Sequence, residues 1–174
     1  MNDFSRILCP LDFSSASRNS LKTAEHLALK LSAELYVVNV VDPVPSIVAK
    51  ALPRLGKTSS TSKGEANREP ESQKDSRYLQ EVIDEIRKKL DSEVEKTIGN
   101  AEKVNTIVTD GDPATAITKV ARDEGIDMVV IGTRGEDESK STLMGSVTEK
   151  VVRLSPIPVL TVRDGSENKN QEIS

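Results

Sequence analysis

Apolar positions along the chain switch repeatedly between a short continuous run and a helical spacing. Arg6-Ile7-Leu8-Cys9 is a short apolar run ended by Pro10, the pattern of a buried strand. Leu21, Ala24, Leu27, Ala28 and Leu31 then recur at helical spacing, with Ser14 or Ser15 as the candidate cap before them. Leu35 to Val41 (LYVVNVV) predicts a second strand, apolar on both faces, broken only by Asn39 and ended by Asp42-Pro43. Leu79, Val82, Ile83, Ile86, Leu90, Val94 and Ile98 mark one face of a helix of about six turns, and Gly99-Asn100 is its stop signal. Val104 to Thr109 predicts a third strand. Gly111-Asp112-Pro113 reads as a turn, a cap and a proline at the first helical position. Ile117, Val120 and Ala121 line that helix, and Gly125 closes it. Asp127 to Ile131 (DMVVI) is a fourth strand, followed by a glycine-punctuated loop from Gly132 to Gly145. Val147, Val151, Val152 and Leu154 predict a last helix, stopped by Ser155-Pro156, and Pro158 to Val162 (PVLTV) a fifth strand.

The predicted order is βαβαβαβαβ. Apolar strands separated by amphipathic helices imply an α/β fold: a five-stranded parallel sheet with helices on both faces, a three-layer αβα arrangement. Right-handed crossovers leave few topologies. In such sheets ligands sit beyond the carboxyl ends of the strands, where the strand order reverses. That directs attention to the loops Pro10–Ser14, Val40–Pro43 and Gly132–Ser146. Residues 1–163 are expected to form one domain. The apolar fraction of the whole chain, 36%, falls below the usual value of about 45–50%, and the deficit is local. Residues 54–77 hold only Leu55 and Ala66 as apolar positions, and residues 164–174 only Ile173. Both compositions predict solvated chain, the first as a polar insert and the second as a disordered tail.

Charge and rare residues narrow the function. The 174 residues carry 24 Lys and Arg against 28 Asp and Glu, a net charge of −4. That is a poor match to nucleic acid or an anionic membrane surface. Four aromatics (Phe4, Phe13, Tyr36, Tyr78) are too few for base-stacking platforms. The single Cys9 rules out an internal disulfide or zinc cluster, and the single His26 a His-rich metal site. No basic start followed by an apolar stretch of about 7–15 residues is visible, and runs such as Met128–Ile131 are too short to span a bilayer. The expected setting is cytoplasmic, without membrane or nucleic-acid partners.

The glycine loop carries the chemistry. Gly132 and Gly135 would let backbone approach a ligand with no Cβ in the way. Gly145-Ser146 opens a helix whose N–H groups and positive dipole end suit a phosphate. The alternative is a structural turn with a helix cap. The loop is neither a Walker A motif nor G-x-G-x-x-G.

Gly-x2-Gly-x9-Gly-Ser resembles the ATP-binding signature of the universal stress protein family. The segments Pro10-Leu11-Asp12-Phe13-Ser14, Val38-Asn39-Val40-Val41-Asp42, Gly111-Asp112-Pro113, Asp127 to Gly132, Gly145 to Val151 and Pro156 to Leu160 are similar to that family in order and position, across most of residues 3–163. The resemblance implies a Rossmann-like fold of the adenine-nucleotide α-hydrolase kind. It further implies that Asp12 contacts the adenosine end of ATP, with Pro10 and Leu11 shaping the pocket. Val40 would hold adenine through its backbone, with Ile131 nearby. Gly132, Thr133, Arg134 and Gly135 would wrap ribose and phosphates, and Gly145, Ser146, Val147 and Thr148 would bind phosphate. The nucleotide is expected to be ATP, with AMP or ADP as alternatives, accompanied by Mg or Mn held through the phosphates. The resemblance also implies a homodimer through the last strand, Val159–Val162. The spacer Glu136-Asp137-Glu138 is more acidic than the family's usual composition, with Arg134 and Lys140 as partial offsets.

Other groups have readings of their own. Asp12 as a phosphoacceptor would need further acids at the first strand end and a lysine after the fifth strand, and that lysine is missing. His26 reads as a helix-face residue and Cys9 as a small buried hydrophobe. Lys57, Lys63 and Arg68 read as solvated loop, with a lid over the nucleotide as the alternative, and Ser59, Ser60, Thr61 and Ser62 as candidate phosphorylation positions. No catalytic residue is identified, and enzymatic activity is left open. The expected function is an ATP-binding regulatory or stress-response protein acting as a homodimeric switch on a protein partner the sequence does not name. The alternatives are a nucleotide-free dimeric scaffold or a slow ATP-hydrolysing enzyme of the related adenine-nucleotide α/β group. The His-x-Gly-His and Ser-Gly-Gly-x-Asp-Ser signatures of that group are absent from the first loop.

Overall fold

The short apolar runs are strands of one parallel sheet: β1 (Arg6–Pro10), β2 (Glu34–Val41), β3 (Val104–Asp110), β4 (Met128–Gly132) and β5 (Val159–Val162). The computed structural model describes residues 4–41, 71–99, 101–133 and 144–163, without the side chains of residues 71–80 and 101. The strand order is β3-β2-β1-β4-β5, so the chain winds outward from β1 to β3, then crosses back to β4 and β5. This is the Rossmann-like α/β architecture expected.

Helices α1 (Ser15–Leu31), α2 (Glu71–Ile98), α3 (Pro113–Asp123) and α4 (Ser146–Leu154) lie between the strands. Alternation along each strand divides the core in two. Ile7, Cys9, Leu11, Leu35 and Val37 pack on one face with Leu21 and Ala24 of α1 and Leu90 and Val94 of α2. Leu8, Tyr36, Val38, Val129 and Ile131 pack on the other with Ala114, Ile117 and Ala121 of α3 and Val151 of α4.

Helix ends follow their cap residues. The Ser14 side chain accepts from the Ser17 N–H to open α1, and the Asp112 side chain accepts from the Thr115 N–H to open α3, with Pro113 at its first position. Helix α2 is longer than the apolar spacing implies. It starts at Glu71, so residues 71–77 of the polar stretch are helical. Glu, Gln, Lys and Arg are good helix formers even where no apolar face demands a helix, and composition alone hides this. Residues 54–70 and the tail lie outside the described residues.

The sheet opens at its switch point. Strand β1 pairs with β2 as far as Pro10 and Val38, and β4 with β5 as far as Gly132 and Val162. Between β1 and β4 the register is only Ile7 with Met128 and Leu8 with Val129. Beyond that point the two central strands part, and their carboxyl ends bound a crevice. Gly132 makes the parting compatible with a close helix. A Cβ there would lie 3.0 Å from the carbonyl carbon and oxygen of Ala16 in α1. Its lack of a side chain is therefore used for strand–helix packing, a role the sequence reading did not assign to it.

Gly132→Ala should force α1 and β4 apart. Overpacking of this kind costs roughly 1–3 kcal/mol, which lowers Tm by about 2–12 °C in a chain of this size. An unchanged Tm in a calorimetric scan would contradict the packing account.

Candidate functional site

Three segments meet the carboxyl edge of the sheet. The first leaves β1. The Leu11 N–H donates to the Val38 carbonyl at 2.8 Å, continuing the β1–β2 ladder by one bond. The Leu11 carbonyl accepts from Asn39 Nδ2 at 2.7 Å. Leu11 is buried, whereas Asp12 next to it is exposed. Asp12 Oδ1 accepts from the Ser14 N–H at 3.0 Å and the Ser14 hydroxyl at 2.6 Å. Phe13 between them has φ of +66°, a left-handed conformation rare for an aromatic residue. Its ring is half-buried on the core beneath α2, with Lys89 Nζ 4.1 Å from the ring centre.

The second segment is the end of β2. Val40 is half-buried and pairs with Thr109 of β3, and its side chain packs on the α3–α4 face. Asn39 before it points the other way and is 5% exposed, the one polar side chain in the buried run Leu35–Asn39.

The third segment joins β4 to α4. Ile131 is buried in the α3–α4 core. The Thr133 N–H donates to the Val162 carbonyl at 2.9 Å, and the Thr133 carbonyl accepts from the Gly145 N–H at 2.6 Å. The Thr148 hydroxyl, buried at 3% exposure, donates to the Gly132 carbonyl at 2.7 Å. These bonds hold the two ends of the glycine loop together. They also engage two groups that sequence reading gave to phosphate, the Gly145 N–H and the Thr148 hydroxyl. The first turn of α4 remains. Gly145 is its N-cap and supplies no side-chain cap. The N–H groups of Val147 and Thr148 precede the first intrahelical bond, Glu149 N–H to the Gly145 carbonyl at 2.9 Å. Ser146 is exposed and Val147 half-buried.

Pro10, Leu11, Asp12, Val40, Ile131, Gly132, Thr133, Gly145, Ser146, Val147 and Thr148 thus stand on elements that share one edge of the sheet. Arg134, Gly135 and the acidic spacer lie outside the described residues. Among the described residues no group of three or more His, Cys, Asp and Glu could hold a metal ion, and no helix is long and apolar enough to cross a membrane. Burial pushes the Cys9 thiol up to about 12, and the Asp12 charge adds to the rise. That keeps the thiol protonated and unreactive. His26 is exposed on the fourth turn of α1. The roles of Asn39 and Phe13 were not assigned from sequence. Asn39 left a trace, as the polar break in an apolar strand, but nothing in a Phe side chain announces a left-handed backbone.

A family model described as the universal stress protein family matches residues 3–163. The chain is 30% identical to the universal stress protein YxiE of Bacillus subtilis over 92% of its length and 99% of that protein's. It is 28% identical to the universal stress protein MJ0577 of Methanocaldococcus jannaschii, covering 92% of this chain and 95% of that one. The solved structure of MJ0577 superposes with a TM-score of 0.67 at 26% identity, over 92% and 96% of the two chains. At lower identity the fold is shared with a universal stress protein solved in complex with cAMP (18% identity, TM-score 0.57, 94% and 99% coverage). It is shared too with one from Archaeoglobus fulgidus in complex with dAMP (17%, 0.50, 91% and 98%).

The cap of α3 gives the edge a pH dependence. Hydrogen bonds from the Thr115 N–H and hydroxyl hold Asp112 below the usual carboxylate range, helped by Lys150 of α4 at 3.7 Å. A lowered folded-state value means that the stabilisation is fully present above the ordinary Asp value of about 4 and is lost as pH falls through the lowered one. Asp112→Asn caps without a charge. Its urea midpoint should fall less steeply than wild type between about pH 5 and pH 2. Parallel curves would contradict the assignment.

Proposed function

Since the chain belongs to the universal stress protein family, we propose that it is a regulatory protein that binds an adenine nucleotide, ATP with AMP or ADP as alternatives, in the crevice between β1 and β4. One observation carries the reading. α4 starts at the edge of the switch-point crevice and has no side-chain cap, whereas α1 and α3 are capped by Ser14 and Asp112. Its first-turn N–H groups and dipole suit a phosphate. The exposed Asp12 carboxylate follows β1 at the same carboxyl edge of the sheet, and it would repel phosphate and accept hydrogen bonds from the adenosine end. The nucleotide therefore runs from Asp12 and Val40 toward Ser146 and Val147, with Pro10, Leu11 and Ile131 lining the nucleoside end and Thr133, Arg134 and Gly135 beside the phosphates. Two neighbours of the same fold are solved in complex with cAMP and with dAMP, which supports an adenine nucleotide as the class of ligand.

Mg or Mn would travel on the phosphates. No acidic cluster among the described residues competes for the ion, so its ligands would be phosphate oxygens and water, and it would supply charge neutralisation. No side chain is assigned to cleavage of ATP. The output is a switch: nucleotide occupancy biases a homodimer that engages a protein partner, in the cytoplasm. The dimer would form along β5, an edge strand of the sheet, with Leu160 (39% exposed) and Leu154 (54% exposed) available to a second copy.

Equilibrium dialysis with ATP and AMP in the presence of Mg tests the site. Wild type should bind, and Gly145→Val combined with Gly135→Val should weaken ATP at least about tenfold, a loss of roughly 1.4 kcal/mol. Equal binding by the two proteins, or none by wild type, would sink the reading. In light scattering Leu160→Lys should be a monomer where wild type is a dimer; a monomeric wild type would remove the dimer from the account.

A further inference from the structure

A buried amide near the carboxyl end of β2 has no obvious place in a sheet core. Its neighbours Leu35 to Val38 are all apolar and buried. Asn is a poor strand former, and burial of an amide is unfavourable unless it is hydrogen-bonded. The Asn39 carboxamide is used for one described contact, donation to the Leu11 carbonyl at 2.7 Å. Leu11 is thereby held to β2 twice, through its own N–H on Val38 and through its carbonyl on Asn39. The orientation of the Leu11–Asp12 peptide is then fixed from the strand below.

That peptide opens a turn that is strained. Phe13 adopts φ of +66° with an aromatic side chain, a conformation that persists only when its surroundings over-determine it. Its surroundings do so at both ends. The Leu11 carbonyl is tied down on one side, and Asp12 Oδ1 accepts two bonds from Ser14 on the other. The Phe13 ring is fixed between the core beneath α2 and Lys89. The residue these restraints enclose is the exposed Asp12.

We propose that Asn39 is a positioning residue of the nucleotide site: by holding the Leu11 carbonyl it maintains the strained Asp12–Phe13 turn and so presents the Asp12 carboxylate to the hydroxyl and amino donors of the nucleoside. This rests on the nucleotide reading given above and adds to it how the site selects a nucleoside rather than a bare phosphate chain. Asn39 touches no ligand in this account; it acts through Leu11 and Asp12.

The test uses Asn39→Leu and Asn39→Thr, neither of which can donate an amide hydrogen at that reach, together with Asp12→Ala and the double variant Asn39→Thr/Asp12→Ala. In the free proteins, amide exchange of Ser14 should speed up about tenfold in both Asn39 variants, while Val37 and Val38 in the ladder keep their protection. AMP and ATP should each bind about tenfold more weakly, and tripolyphosphate, which has no nucleoside, should be unaffected. The double variant should lose no more AMP affinity than Asp12→Ala alone. Unchanged Ser14 exchange, wild-type AMP affinity in both variants, an equal loss for tripolyphosphate, or additive losses in the double variant would each overturn the proposal. So would failure of both Asn39 variants to fold, which would make Asn39 a framework residue. A wild type that binds no adenine nucleotide overturns the nucleotide reading instead, and the Ser14 exchange then decides by itself whether Asn39 holds the turn.

Discussion

The parting of β1 from β4 after Leu8 and Val129 is the constraint on which the rest depends. Each central strand stays paired on its outer side, β1 to β2 through Pro10 and β4 to β5 through Gly132. Each therefore carries its own loop away from the other, and a parallel sheet with helices on both faces acquires a gap at its middle. The gap is stabilised from both flanks. On the β2 flank the Leu11 peptide is tied to Val38 and Asn39. On the β5 flank Thr133 is tied to Val162 and Gly145, and Thr148 to Gly132.

These ties divide the polar groups of the edge between two tasks. Buried groups are consumed by the framework, because an unmet donor or acceptor at that depth would be costly. The Thr148 hydroxyl, the Gly145 N–H and the Asn39 carboxamide belong to this set. The exposed Asp12 carboxylate and the N-terminal end of α4 at the same edge are the groups the nucleotide reading assigns to a ligand. The two ends differ in sign: a carboxylate on one side and a helix N-terminus on the other. A molecule that is a hydrogen-bond donor at one end and an anion at the other matches them, and a nucleotide is such a molecule.

Much of this was legible in the sequence because the signals were local. Five β-rich apolar runs, the Ser14 and Asp112 caps and the Gly111-Asp112-Pro113 start gave every described strand and the starts of α1 and α3 to within a residue or so. The glycine spacing directed attention to the carboxyl edge of the sheet. Three features were not legible, each because it depends on a neighbour distant in the chain. Gly132 reads as room for a ligand, and only the fold shows that a Cβ there would also meet the Ala16 backbone at 3.0 Å. Thr148 reads as a phosphate donor until Gly132, sixteen residues earlier, is found to accept its hydroxyl. Phe13 carries no sign of a left-handed backbone, because the tertiary ties that impose it come from β2 and α2. The start of α2 was missed for a different reason: polar helix formers such as Glu, Gln and Lys also compose loops.

The most direct test is a map of backbone amide chemical shifts during titration of the ¹⁵N-labelled protein with AMP and Mg. The account predicts that the largest changes fall on Leu11–Ser14, Asn39–Val41, Ile131–Thr133 and Gly145–Thr148, on both sides of the β1–β4 gap. Changes confined to the amino ends of the strands or to the outer edge of β3, or no changes at saturating nucleotide, would contradict it.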